Sequence, residues 1–354
     1  VKKWIGWAFL FLALISAVLA FLSWNFLIRP ASQESRVVTI DIPPGSNFSS
    51  LVPKLAQEGI RIPILPMKLW AQMTGAARRL RFGEYQIKSS DSPYVILKTL
   101  IYGPAKGHQI LVREGANIWD VQKSFEESVL KVDEKTFMSI ITDPKRLERM
   151  GVPTFEDPAI RRTLEGFLFP ETYTFFKYNS PESVVDHMLD LFEERVKGVL
   201  AQHPWGNTSI GRYKLLILAS IVEKESGDVA EQPIIASVYW NRIRKGMKLQ
   251  ADPTTIYGLM PNFNGNLTKA NLLEKTPYNT YRITGLPPTP IANPGESAIR
   301  ATVNPASTEY LFFVSRNDGT HVFSKDYVTH NKHVNEFQRS RSKRSTSTQV
   351  GKDR

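Results

Sequence analysis

Between Trp4 and Ile28 the chain runs without a single charge, WIGWAFLFLALISAVLAFLSWNFLI, after Lys2-Lys3 and before Arg29-Pro30. As an α-helix this run is about 37 Å long, enough to cross a hydrocarbon core of about 30 Å with some tilt. Trp4 and Trp7 at one end and Trp24 at the other suit the two interfacial belts. A cleaved signal peptide is the competing reading, because Val18-Leu19-Ala20 would pass as a cleavage site. Signal-peptide cores are shorter, and this one continues well past Ala20. The expectation is an uncleaved single-pass anchor. With Lys2 and Lys3 on the cytoplasmic side, everything after Arg29 lies outside the cytoplasm, which in a bacterium places the body in the periplasm against the inner membrane.

The rest of the 354 residues is long enough for about two domains, and 42% hydrophobic content suffices for a core. The net charge is +11. From Arg339 to Arg354 six basic residues face one acid, so nearly half of the excess sits in a short tail, expected to be disordered. A nucleic-acid partner is therefore not indicated. There is no Cys, which excludes disulfides, thiolate metal sites and Cys nucleophiles.

After a polar linker (Ala31 to Arg36), Val38, Ile40 and Ile42 alternate as a strand and Pro43-Pro44-Gly45 turns the chain toward a helix containing Ser50, Leu51, Leu55 and Ala56. About seventy positions later the pattern recurs: Ile110-Leu111-Val112, Gly115, Asn117, Ile118, Val121 and Phe125. Between the two units, Tyr85 and Ile87 read as a strand and Pro93 to Ile101 as a helix. Small strand–helix units of this kind resemble LysM-type glycan-binding modules; an ordinary small α+β domain is the plainer reading.

Ser180-Pro181-Glu182 starts a helix with the amphipathic stripe Val184, Val185, Met188, Leu189, Phe192 and Val196. The most informative stretch is Tyr213 to Gly227, YKLLILASIVEKESG. Leu215 to Val222 is apolar on every side except Ser220, so this helix is expected to be buried rather than amphipathic. Glu223 and Glu225 follow, about 200° apart on the helix, so one pocket can hardly use both. Glu225 continues the Leu218, Ile221, Val222 line. Burial and the helix C-terminus both raise a carboxyl pKa, which general-acid chemistry near neutral pH requires. Two exposed acids at a helix end remain the plainer alternative. Gln232 to Arg244 reads as another helix, and Asp252-Pro253 as a helix cap followed by proline at the first helical position. Tyr278, Asn279, Thr280 and Tyr281 crowd amide, hydroxyl and aromatic groups into one loop. That composition suits sugar hydroxyls and N-acetyl groups, or equally a well-packed loop.

The sequence resembles the MltG (YceG-like) family of endolytic murein transglycosylases. The blocks carrying the resemblance are the anchor, EGFLFPETY (Glu165 to Tyr173), ASIVEKES (Ala219 to Ser226), LQADPTTIYG (Leu249 to Gly258), YNTYRITGLPPTPIANPG (Tyr278 to Gly295) and GTHVFSKDYVTHNKHV (Gly319 to Val334). The resemblance implies an α+β protein with a single-pass transmembrane helix (1–36 with its linker), a LysM-like glycan-binding domain (37–130), a helix-rich α+β catalytic domain (131–338) and the basic tail (339–354). It implies a lyase that cuts the MurNAc–GlcNAc bond of nascent strands and leaves 1,6-anhydro ends, ending their elongation. Glu225 maps to the catalytic acid, with Glu223, Gln250, Asp252, Tyr278, Asn279, Thr280 and Tyr281 as candidate substrate contacts. The implied partners are peptidoglycan strands, the membrane and the wall-synthesis machinery, with no metal or cofactor.

Three alternatives stand beside this reading. The first is a hydrolase pairing Glu225 with Glu223, Asp252 or Glu171. The second is a metal enzyme using His321, His330 or His333, although no metal-binding spacing of the H-E-x-x-H kind occurs. The third is a non-enzymatic glycan-binding scaffold. The anchor itself is directly testable. A reporter fused after residue 36 is expected to be exported while the protein stays membrane-bound; recovery of a soluble form starting near Phe21 contradicts the anchor.

Overall fold

The alternation that begins the soluble part is built as expected. In β1 (Val37–Ile42) Val38, Ile40 and Ile42 point into a core while Val37 and Thr39 face outward. In the computed structural model, which describes residues 2–225 and 227–339, the chain divides into two units, 1–109 with 174–180, and 110–173 with 181–354. The basic tail expected beyond Gln338 falls, after Arg339, outside the described residues.

In the first unit the apolar run forms one helix, α1 (Lys2–Leu27), of which Trp4–Leu27 is long and apolar enough to cross a membrane. β1 leads into α2 (Phe48–Gln57) and α3 (Ile64–Thr74) and returns in β2 (Gly83–Lys88), antiparallel to β1 with Ile40 opposite Tyr85. α4 (Pro93–Tyr102) closes a core of Leu51, Leu55, Met67, Tyr85, Leu97 and Leu100. The stretch read as a polar linker is tied down. Ala31 is buried; its N–H donates to Asp91 O at 3.1 Å and its carbonyl accepts from Arg61 N–H at 3.2 Å. Phe26, in the last turn of α1, is also buried, against Trp70 of α3 and Tyr94 of α4 at ring-centroid distances of 6.3 and 6.1 Å. The reason is apolar: once Phe26 enters this core, the residues after it must satisfy their backbone groups on the same surface.

β3 (His108–Val112) pairs with β4 (Glu171–Phe175). The second unit continues through α5 (Ile118–Glu127), α6 (Glu134–Ile141) and α7 (Pro144–Arg149), then α8 (Pro181–Leu200), which starts at the proline read as its first residue. The sequence repeat is real as local structure. Gly45 and Gly115 both adopt positive φ, and Asn47 and Asn117 both cap the following helix in a reciprocal capping box. The two copies nevertheless fall in different compact units, the first of which runs to Gln109 and takes back 174–180. Repetition of a short strand–turn–helix says nothing about which neighbour each copy packs on.

α9 (Ser209–Glu225) is the centre of the second unit. Leu215 to Val222 are all buried, and the helix packs against α10 (Gln232–Arg244), α11 (Asp252–Gly258) and, after α12 (Lys269–Leu273), α13 (Glu296–Val303). The one hydroxyl among these residues, Ser220, donates to Ile217 O at 2.7 Å and accepts from Ile291 N–H at 3.0 Å, so nothing polar is stranded. A hairpin, β5 (Phe312–Ser315) and β6 (His321–Ser324), and α14 (Tyr327–Val334) complete the unit. Replacing Asn117 by Ala removes the α5 cap and is expected to lower stability by about 1 kcal/mol, read from denaturant unfolding of the detergent-solubilised protein.

Candidate active site

α9 ends where its burial ends, and Glu225 is its last residue. Its Oε1 accepts a hydrogen bond from the Tyr239 hydroxyl of α10 at 2.7 Å. Burial pushes the Glu225 carboxyl up to about 7; the Asp252 charge adds to the rise, while the Tyr239 hydrogen bond and Arg242 oppose it. Near neutral pH this carboxyl therefore exchanges readily between protonated and ionised forms. It opens onto a cavity of about 430 Å³, lined also by Tyr239, Arg242, Gln250, Asp252 and Tyr281, and by Phe312 with neighbouring side chains of the hairpin and α14.

Each wall residue is held from behind. Arg242, three residues after Tyr239 and on the same face of α10, donates to Leu311 O at 2.6 Å and Leu249 O at 2.7 Å and lies over the Phe312 ring at 5.2 Å. Its burial lowers its pKa. Asp252 is the first residue of α11 but does not cap it, since the cap position is Ala251 and no side chain bonds there. The Asp252 carboxylate instead accepts from the Tyr281 hydroxyl at 2.6 Å. Gln250 stands just before, exposed and at a φ of +51°, an uncommon backbone conformation outside glycine. Its N–H donates to Thr280 O at 3.2 Å, and Ala251 N–H donates to Thr280 Oγ1 at 2.9 Å.

Of the expected site residues, Glu225, Gln250, Asp252 and Tyr281 are thus brought to one cavity, and four are not. Glu223 turns away from it, as a helix requires of a residue two positions distant, and accepts from Gly295 N–H at 3.0 Å. Asn279 is buried and fully used: its amide donates to the carbonyls of Asn271, Leu272 and Glu274 and its Oδ1 accepts from Thr255 and from Tyr281 N–H. Thr280 is buried and bonded to Thr254 and the 250–251 backbone. Tyr278 is buried against Tyr257, its hydroxyl bonded to Thr289. These loop residues shape the turn that presents Gln250, Asp252 and Tyr281. Of the three acids considered as partners for Glu225, only Asp252 lines the cavity; Glu171 is exposed on β4. Among the described residues no three His, Asp or Glu side chains converge as a metal ion would require. His321 is engaged by Glu231 at 2.7 Å.

Tyr239 and Arg242 were hidden in the sequence, because in α10 they sit among apolar residues that absorb the helical pattern. Glu165 was hidden in an aromatic loop. Its carboxyl is buried, accepting from Ile118 N–H and the Tyr257 hydroxyl, each at 3.0 Å, and from the Asn293 amide at 3.3 Å. Gly166 beside it has positive φ, and a Cβ there would lie 2.7 Å from Pro290. Asn293 binds both sides: Oδ1 accepts from Gly166 and Leu168 N–H, and its amide donates to Ala116 O. Glu165 thereby anchors the far end of α11, the helix that begins with Asp252.

The arrangement is a half-buried acid that accepts from a tyrosine hydroxyl, with a second carboxylate, itself bonded to tyrosine, on the same cavity. The YceG-like family matches residues 40–336. The chain belongs to the YceG-like family. It is 30% identical to a Bacillus subtilis protein named endolytic murein transglycosylase, over 88% of each chain. It is 27% identical to a protein of the same name from Streptococcus pneumoniae, over 96% of this chain and 66% of that one. A solved YceG-like protein from Listeria monocytogenes superposes with a TM-score of 0.57 at 27% identity, covering 84% of this chain and 99% of that one.

The buried Glu165 predicts a pH dependence of stability. Burial raises its carboxyl to about 8 in the folded protein, against an ordinary value of 4.5. The folded state keeps a proton that the unfolded state loses, so this contribution is fully present below about 4.5 and lost as pH rises toward 8. Thermal unfolding of wild type and Glu165→Gln between pH 5 and 9 is expected to give a flatter profile for the variant.

Proposed function

We propose that this chain is an endolytic murein transglycosylase, anchored by α1 in the bacterial inner membrane with its body on the extracytoplasmic side, and that Glu225 is its catalytic acid and base. The observation that carries the reading is the Glu225 carboxyl itself, poised at about 7 by burial and opening onto a polar-lined cavity. The family, and the names of its relatives in Bacillus and Streptococcus, support murein as the substrate. In this reading protonated Glu225 gives its proton to the glycosidic oxygen between N-acetylmuramic acid and N-acetylglucosamine, and the bond from C1 to that oxygen breaks. The carboxylate, held by the Tyr239 hydroxyl, then takes the proton of the muramoyl C6 hydroxyl as that oxygen bonds C1. A 1,6-anhydro end results and no water is consumed. Asp252 raises the Glu225 pKa and offsets positive charge developing at C1. Gln250 and Tyr281 face the sugars.

The strand–helix–helix–strand order of β1, α2, α3 and β2 supports a LysM-like module in the first unit, where strands would be held. Cutting within nascent strands beside the membrane would set glycan length, in company with the synthesis machinery. The hydrolase reading has one observation in its favour, Asp252 in the same cavity. Paired-carboxylate glycosidases place two acids at fixed separation around water or a covalent intermediate. Product ends separate the two: anhydro ends for the lyase, reducing ends for the hydrolase.

Muropeptides released from purified strands are the test. Wild type is expected to yield anhydro ends, with a rate that falls about tenfold per pH unit above about 7 as Glu225 loses its proton. Glu225→Gln is expected to lose about 10²–10⁴-fold or more while remaining folded. Glu223→Gln, outside the cavity, is expected to lose far less. A scaffold would tolerate Glu225→Gln in cells.

A further inference from the structure

α3 carries an apolar face that the first unit leaves uncovered. Leu65, Leu69 and Met73 recur every four residues and are all exposed, Met73 by 86%. Ile64 is exposed beside them. The helix is followed by a one-sided charge pattern: from Gly59 to Gly83 there are five basic residues, Arg61, Lys68, Arg78, Arg79 and Arg81, and no acid. Arg78, Arg79 and Arg81 are exposed, and Arg79 donates to the Tyr102 hydroxyl at 3.4 Å. An exposed row of large apolar side chains bordered by cations is the pattern of a helix lying in a lipid interface.

What covers the row is indicated by its neighbour. The final turn of α1 is packed into the same unit, Phe26 against Trp70, and Trp70 lies on α3 between Leu69 and Met73 in sequence. α3 has 11 residues, so every part of it lies within about 16 Å along its axis of that contact. Arg29 marks where the apolar run of α1 ends, and Ala31 is already fastened to the unit. No flexible spacer separates the end of the membrane span from α3.

We propose that α3 lies in the interface of the bilayer crossed by α1, with Leu65, Leu69 and Met73 at the acyl boundary and Arg78, Arg79 and Arg81 against anionic headgroups. This rests on the reading of α1 as a membrane anchor. It gives the first unit a fixed pose at the membrane surface, an amphipathic helix reinforcing a single span.

The chain has no Cys, so single cysteines take a unique label. Full-length protein with an environment-sensitive fluorophore at Met73→Cys, Leu69→Cys, Leu12→Cys or Lys135→Cys is placed in nanodiscs of phosphatidylcholine and phosphatidylglycerol. Labels at 73 and 69 are expected to be quenched by doxyl lipids and to be at least about fivefold less open to iodide than the label at Lys135, an exposed residue of α6. Arg78→Glu with Arg79→Glu and Arg81→Glu is expected to reopen them to iodide. If Leu12 is shielded while both 69 and 73 are as open as 135, the proposal is overturned and the anchor stands; a protein partner then becomes the occupant of the stripe. If Leu12 is open as well, the anchor reading falls and takes the proposal with it. Shielding that survives the triple Glu variant overturns the headgroup contact.

Discussion

The second unit depends on a helix with no polar face. From Leu215 to Val222, α9 is enclosed by α10, α11, α13 and the loops between them. Enclosure of this kind is driven by removal of apolar surface from water, and it leaves the helix polar only at its two ends, of which the C-terminal one carries the carboxyl. The carboxyl there inherits the low-dielectric surroundings of the core behind it and the open cavity before it. A neutral-range acid is first a consequence of that position, with the Asp252 charge adding to it. Tyr239 and Arg242 act against the burial and lower the carboxyl's pKa.

Around this acid the polar groups divide into those that meet the cavity and those that hold it. Asn279 and Thr280 spend their hydrogen bonds on backbone and on the hydroxyls of Thr255 and Thr254, and Thr280, through the 250–251 segment, sets the entry of α11. Glu165 and Asn293 perform the same service at its other end, joining the turn at Ala116, the Gly166 loop and Tyr257. Glu223 fastens the end of α9 to Gly295 on the side opposite Glu225, and Lys224 donates to Gly115 O at 3.1 Å. Three consecutive charged residues therefore have three destinations. Helical geometry dictates the divergence, and only one of the three carboxylate or ammonium groups reaches the cavity.

Several features could be read from the residues alone because local physics decides them. The charge-free run that begins at Trp4 is helical to Leu27, as its length and composition imply. The alternation in 38–42 and the glycine–asparagine starts of α2 and α5 are encoded within a few residues. The burial of α9 followed from its lack of any polar face, and the divergence of Glu223 and Glu225 from their angular separation; which of the two is the acid came from the resemblance to the family. The site's remaining members could not be read in this way. Tyr239 and Arg242 look like ordinary positions in an apolar helix, and Asp252 before proline looks like a cap.

By itself, then, the sequence determined the apolar span, the period of the strongly patterned helices and strands such as β1, α8 and α9, and the position of one acid at the end of a buried segment, since each depends on spacing along the chain. The tertiary structure decided which polar residues share the cavity, that the two strand–helix copies belong to different units, and that the segment after the span is fastened down. Those outcomes depend on contacts between residues far apart in the chain. Asn293 bonding Gly166 and Ala116, Tyr281 bonding Asp252, and Phe26 settling between Trp70 and Tyr94 leave no periodic trace. Asn279 shows the difference most plainly: its amide and carbonyl suit a sugar in composition, and only the folded loop, by using every one of them, assigns the residue to the scaffold.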